Sequence, residues 1–189
     1  VILAHSSTDD TLGIAQRMRD SWGSERVVVL HETSPEWREM DHRQRTLDAA
    51  RELGATHVAN VDDDEILTGN LLGSIRDRAA AIAPGEALQL PWISVWDGLD
   101  RYRDDDSHWS RSQVHVVFAL TPQTRYRAAG DGYQHHARRP RGNTGRVLTP
   151  IAAQGGGGLL HLQFASSARL RAKQALYKMG EVLRWPGRQ

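Results

Sequence analysis

Cysteine is absent from this sequence, which rules out disulfides and thiolate metal sites and fits a reducing compartment. No apolar run approaches the roughly 18 residues that a spanning helix requires. The chain opens at Val1 without a signal-peptide pattern, so a cytoplasmic location is expected. Neither a GxGxxG fingerprint nor a P-loop lysine is present, leaving dinucleotide and P-loop readings without support. Lysine is nearly missing, with 2 against 22 arginines, a bias that reads as compositional. What remains is 39% apolar and 25% charged over 189 residues, enough for one soluble domain with its own core.

The net charge of +1 conceals a split. Residues 1–100 carry 9 basic and 18 acidic side chains, whereas residues 101–189 carry 15 and 5. Such asymmetry points either to an anionic partner for the basic half or to attraction between the halves within one fold.

The stretch that organises the chain is His57-Val-Ala-Asn-Val-Asp-Asp-Asp-Glu-Ile-Leu67. It begins as an apolar strand and ends in Asp62, Asp63, Asp64 and Glu65. The mouth of a strand at its carboxyl end is where α/β sheets place ligands. Carboxylates packed this closely repel, and a divalent cation relieves that repulsion. Carboxylate oxygen suits Mg²⁺ and Mn²⁺, and Mg²⁺ usually takes one or two carboxylates together with substrate phosphates. The alternative is a solvated acidic turn.

"VDDDEIL" resembles the DxD motif, in its D-x-D-E-hydrophobic form, of metal-dependent glycosyltransferases with the GT-A fold, family 2-type enzymes in particular. The resemblance implies a single Rossmann-like α/β domain whose mixed, mostly parallel central sheet is flanked by helices. Residues 1–67 would be its nucleotide-sugar half and residues 68–189 its acceptor half. It also implies transfer of a sugar from a nucleotide-diphosphate donor. Asp62 and Asp64 fall on the two motif acids, which handle the donor ribose and the Mn²⁺ or Mg²⁺ bridging its diphosphate. Asp63, at the variable position, joins Asp62 among the nucleotide-sugar candidates.

The order of elements agrees with that likeness. A strand at 1–4 breaks into His5-Ser-Ser-Thr-Asp-Asp10, a polar turn that caps a helix, and Arg26–Leu30 is a second strand. In GT-A enzymes the ends of these two strands cradle base and ribose, which nominates Ser6, Thr8 and Glu32. A helix is predicted over 37–53, with Gly54 ending it. Arg43 and Gln44 hold the place where the family has a basic or polar residue reaching the nucleotide. Further predictions are a helix from Thr68 to about Ile82 and strands at 88–96 and 114–120.

Trp96 and Trp109 border a turn-rich segment, and aromatic faces with polar rims suit a sugar ring or a nucleobase. In the family this segment helps to build the acceptor site. His136, Arg138 and Arg139 lie in a basic, glycine-rich stretch able to bind phosphate of the donor or of an anionic acceptor. Gly155–Gly158 reads as a hinge. The closing "LLHLQFASSARLRAKQALYKM" resembles the family element whose histidine completes the metal site, which makes His161 the third metal ligand beside Asp62 and Asp64.

An inverting enzyme needs a general base, for which Asp131 comes first and Asp97 and Asp100 follow. A retaining enzyme needs none, and the stereochemistry stays open. Acceptors compatible with the basic half are a glycan, a lipid-linked or other anionic acceptor, and nucleic acid. The alternatives are a metal-dependent nucleotidyltransferase or phosphohydrolase and a nucleic-acid-binding module. Two-metal phosphoryl sites usually need further acids, which are few after residue 100, and uncompensated strand-end carboxylates repel nucleic acid.

Overall fold

The computed structural model of the protein describes residues 1–127 and 137–187, the side chain of Arg184 apart. The backbone forms two compact units, each assembled from three segments. The first comprises Val1–Ala59, Ile82–Ala87 and Val117–Val147, the second Asn60–Ala81, Leu88–Val116 and Leu148–Gln189. The architecture is mixed α/β, with four α-helices among the described residues.

In the first unit, β1 (Ile2–His5), α1 (Thr11–Trp22) and β2 (Val29–Glu32) form a strand–helix–strand crossover. The two strands are parallel, in register from Ile2↔Val29 to His5↔Glu32, as a helical connection of this length permits. The N-cap residue of α1, Asp10, makes no side-chain capping bond; the polar turn before it is closed instead by Asp9, whose Oδ1 accepts the Thr11 N–H at 3.0 Å. The Thr11 hydroxyl, chiefly, holds that carboxyl below its ordinary value. Helix α2 (Glu39–Glu52) follows from the apolar stripe. Its Met40 and Leu47 pack with Tyr126 against Val58 and Leu120.

The end of α2 is set by Gly54, whose φ of 77° a residue with a Cβ adopts at a cost. The Gly54 N–H bonds the Arg51 carbonyl, and the Ala55 N–H bonds that of Ala50. This paired reversal satisfies carbonyls that the last turn leaves open. It aims the chain into β3 (His57–Ala59), which pairs antiparallel with the end of β6 (Gln113–Ala119).

In the second unit, β8 (Leu159–Phe164) is the centre. It pairs parallel with β5 (Ala87–Trp96) and antiparallel with β4 (Glu65–Leu67). The short β7 (Val147–Leu148) also pairs with β5. Parallel and antiparallel pairings thus both occur, and β1 with β2 forms a two-stranded sheet of its own. Helix α4 (Ser167–Arg184) packs on β8 and is capped by the Ser166 hydroxyl, which accepts the Arg169 N–H at 3.4 Å.

Two local expectations are corrected. The helix expected from Thr68 to Ile82 is a 3-10 turn at Gly69–Leu71 and a short α3 at Ile75–Ala80. Thr68 does not cap it: its hydroxyl accepts the Gly158 N–H at 3.0 Å, while its own N–H bonds the Gly158 carbonyl. Gly69 and Gly73 weaken helix formation in between.

That clamp ties down Gly158, the last residue of the expected Gly155–Gly158 hinge. A Cβ on Gly158 would stand 2.2 Å from the Pro91 carbonyl oxygen on β5, so glycine is there for close backbone approach. Gly158→Ala is accordingly expected to destabilise the protein by more than about 2 kcal/mol, because backbone must move to admit the methyl group. A melting temperature unchanged from wild type would contradict this.

Candidate active site

The acidic stretch folds around Glu65, the residue to which sequence reasoning assigned no task. Glu65 is buried, at 6% exposure. Its Oε1 accepts the Trp92 indole N–H at 2.8 Å, and its Oε2 accepts the Asp62 backbone N–H at 3.0 Å. The Glu65 N–H in turn bonds the Asp62 carbonyl at 3.1 Å, closing a tight turn. Burying a carboxylate is expensive unless donors surround it, and here strand β5 and the turn itself provide them.

This turn leaves Asp63 exposed and carries Asp64 to the edge of β8, where the Asp64 carbonyl accepts the Leu162 N–H at 2.8 Å. The Asp64 carboxylate then meets two nitrogens at one oxygen. Oδ2 lies 3.4 Å from His161 Nε2 and 3.3 Å from Lys173 Nζ. Lys173, on the inner face of α4, also reaches Gln163 Oε1 at 3.3 Å. The hydrogen bond from His161, foremost, and the Lys173 charge hold the Asp64 carboxyl at about 2, well below 3.8. Burial is the largest single influence on the Lys173 ammonium and opposes it, yet Asp64 and Tyr177 together outweigh burial and keep the group above its ordinary value.

His161 is 5% exposed and lies flat on the Trp92 indole, with ring centroids 4.3 Å apart and planes 21° from parallel. The reason is register. Glu65 pairs with His161 across β4–β8, and Ser94 pairs with His161 across β8–β5, so all three side chains form one row on one face. Trp92, two residues before Ser94, shares that face. Phe164 continues the aromatic line, 6.1 Å from His161, 5.3 Å from Trp96 and 6.0 Å from Trp109 between ring centroids.

Beside Trp96 a shallow recess of about 310 Å³ is lined by Arg101, Tyr102, Arg103 and Asp105. The Arg103 guanidinium lies over the Trp96 ring at 5.4 Å and bonds Asp105 at 2.7 Å. The Ser107 hydroxyl, first, together with Arg103 and Ser110, holds the Asp105 carboxyl far below its usual range. Asp105 thereby organises the turn that presents Trp109.

The structure thus brings Asp64 to His161, and Trp96 and Trp109 to a shared Phe164. Asp62 is half-buried and engaged through its backbone in the Glu65 turn. Asp97 is exposed, at a positive φ of 48°, with its N–H on the Phe164 carbonyl; Asp100 is exposed beside Arg101. The remaining candidates belong to the first unit. Ser6 and Thr8 follow β1, and Glu32 ends β2, where it pairs with Arg45 at 2.5 Å. Arg43 pairs with Glu39 at 2.9 Å. Arg139 bonds Asn143 Oδ1 and the Gly145 carbonyl, and the Arg138 carbonyl accepts the Tyr126 hydroxyl. Asp131 and His136 lie outside the described residues.

No three His, Asp or Glu side chains cluster as a ready-made metal site among the described residues. A two-donor set of one carboxylate and one imidazole nevertheless fits a hard divalent cation that completes its shell with diphosphate oxygens and water. No family model, curated protein or solved structure matches the chain.

Proposed function

We propose that the protein is a divalent-metal-dependent glycosyltransferase of the GT-A type, transferring a sugar from a nucleotide-diphosphate donor to an acceptor hydroxyl. The observation that supports this most is the convergence of Asp64 and His161, nearly 100 residues apart, on a partly exposed point at a strand end. A cation held there, Mn²⁺ or Mg²⁺, would supply neutralisation of the charge that develops on the departing nucleoside diphosphate. Asp64 orients that centre, and Lys173 contributes a second positive charge beside it for diphosphate oxygens. Trp92 and Phe164 shield one side of His161 from water. A single carboxylate at this point suits diphosphate departure better than two-metal phosphoryl transfer, which needs more acids.

For the acceptor, the exposed Trp96 and Trp109 with the polar rim of Arg103 and Asp105 favour a glycan, whose apolar ring face stacks on indole. Transfer should show little salt dependence with such an acceptor. A Michaelis constant rising steeply between low and moderate salt would instead indicate an anionic, lipid-linked or nucleic-acid acceptor.

The direct test is a panel of nucleotide sugars with Mn²⁺ or Mg²⁺, scored as released nucleoside diphosphate. Turnover is expected with metal and should fall to background after exhaustive EDTA treatment. Full activity in EDTA would refute the metal-dependent reading, and release of inorganic phosphate without sugar transfer would favour a phosphohydrolase.

A further inference from the structure

Helix α4 buries one face and offers another. It packs on β8, with Leu170 and Tyr177 half-buried and Lys173 turned inward to Asp64. At 3.6 residues per turn, Ala172, Leu176, Met179, Val182 and Leu183 fall on a separate arc about 120° wide. That arc is open to water: exposure runs from 48% at Val182 through 58% at Met179 and 62% at Leu176 to 81% at Leu183. Large apolar side chains scattered singly over a surface need no explanation, but four in one continuous stripe mark a binding surface.

The charges around the stripe say what it binds. Helix α4 carries five basic residues and a single acid, Glu181. Arg169 lies at the Leu176 margin of the arc, Arg171 and Lys178 at the Val182 margin, and all three are exposed. Glu181 falls nearly opposite the centre of the arc. A second copy docking stripe to stripe would bring these basic margins together with no carboxylate to answer them, and facing like charges destabilise a helix pair. The arc is also broader than the narrow seam of a coiled coil. A flat surface needs only this one arc, since the inner face is committed to β8, and negative charge on that surface answers both margins.

We propose that α4 is an interfacial helix that lays its stripe into the surface of a membrane bearing anionic lipids. Leu176, Met179, Val182 and Leu183 enter the boundary between headgroups and acyl chains, while Arg169, Arg171 and Lys178 reach lipid phosphates. The helix lies in the plane of that surface: no helix among the described residues is long and apolar enough to cross a membrane. Apolar burial and charge attraction act together, so docking depends on lipid charge. Because Lys173 on the inner face reaches Asp64, docking holds the acidic turn about one helix diameter, roughly 10 Å, from the lipid. None of this depends on the reaction at Asp64.

The test is cosedimentation of the 189-residue chain with vesicles of phosphatidylcholine alone and of phosphatidylcholine mixed with phosphatidylglycerol, at low and moderate salt. Binding to the mixed vesicles is expected, weaker at moderate salt, with little binding to phosphatidylcholine alone. The double variant Leu176→Ser/Leu183→Ser should bind about 10-fold or more weakly at an unchanged melting temperature, because both side chains are already exposed. Arg171→Glu/Lys178→Glu, which leaves the stripe intact, should lose at least as much. No binding to the charged vesicles, equal binding to charged and uncharged ones, or binding that both double variants retain would overturn the proposal. So would a dimer, seen by light scattering, that the serine variant dissociates while vesicles are ignored; the stripe would then be a contact between copies.

Discussion

Asp64→Asn is expected to reduce sugar transfer by about 100-fold or more while leaving the protein folded at neutral pH. The amide keeps the shape of the side chain but removes the charge that faces both His161 and Lys173. A cation would lose its only carboxylate ligand at this point, and the Lys173 ammonium would lose the partner that directs it. The same variant carries a pH signature. The folded Asp64 carboxyl titrates at about 2, against 3.8 ordinarily. A depressed carboxyl stabilises the fold fully above the unfolded value and loses that contribution as pH falls through the folded value. The effect is on the order of 2 kcal/mol, present above about pH 4 and gone below about pH 2. Asn cannot take up the proton, so acid melts of the variant should be flatter across that window. Wild-type turnover in Asp64→Asn would refute a role in catalysis, whatever the melts show.

His161→Ala should weaken Mn²⁺ binding by about 10-fold or more and, separately, lower stability by about 2–4 kcal/mol. The stability loss follows from burial: the ring lies 4.3 Å from the Trp92 indole and is nearly solvent-free, so its removal leaves a cavity beside Glu65. The metal loss follows from Nε2, the nitrogen facing Asp64. Titrations well below the melting temperature of the variant separate the two effects. If Mn²⁺ affinity is unchanged and only the melt shifts, His161 is a packing residue and the candidate centre reduces to an Asp64–Lys173 ion pair.

Much of the local structure was legible because its causes are local. The stripe of Met40 and Leu47 marks α2 and Gly54 its end, and the apolar run before Asp62 marks β3. Strand β4 was hidden, since Glu65-Ile-Leu67 has no pattern of its own and becomes a strand only by pairing with β8, nearly 100 residues later. The expected helix after Thr68 failed for the same reason: the Thr68 hydroxyl was committed to Gly158.

By itself, the sequence determined the mixed α/β class, the acidic stretch at a strand end and the presence of a distant histidine. Tertiary structure decided which of the four acids does what. Asp64 meets His161 and Lys173 because β4 and β8 are in register, and Glu65, outwardly the equal of its neighbours, is buried as the acceptor of an indole and an amide. A run of like charges looks uniform along the chain. The strand pairing that carries one carboxylate into the core and holds the next at its edge is what gives them different environments, and so different chemistry.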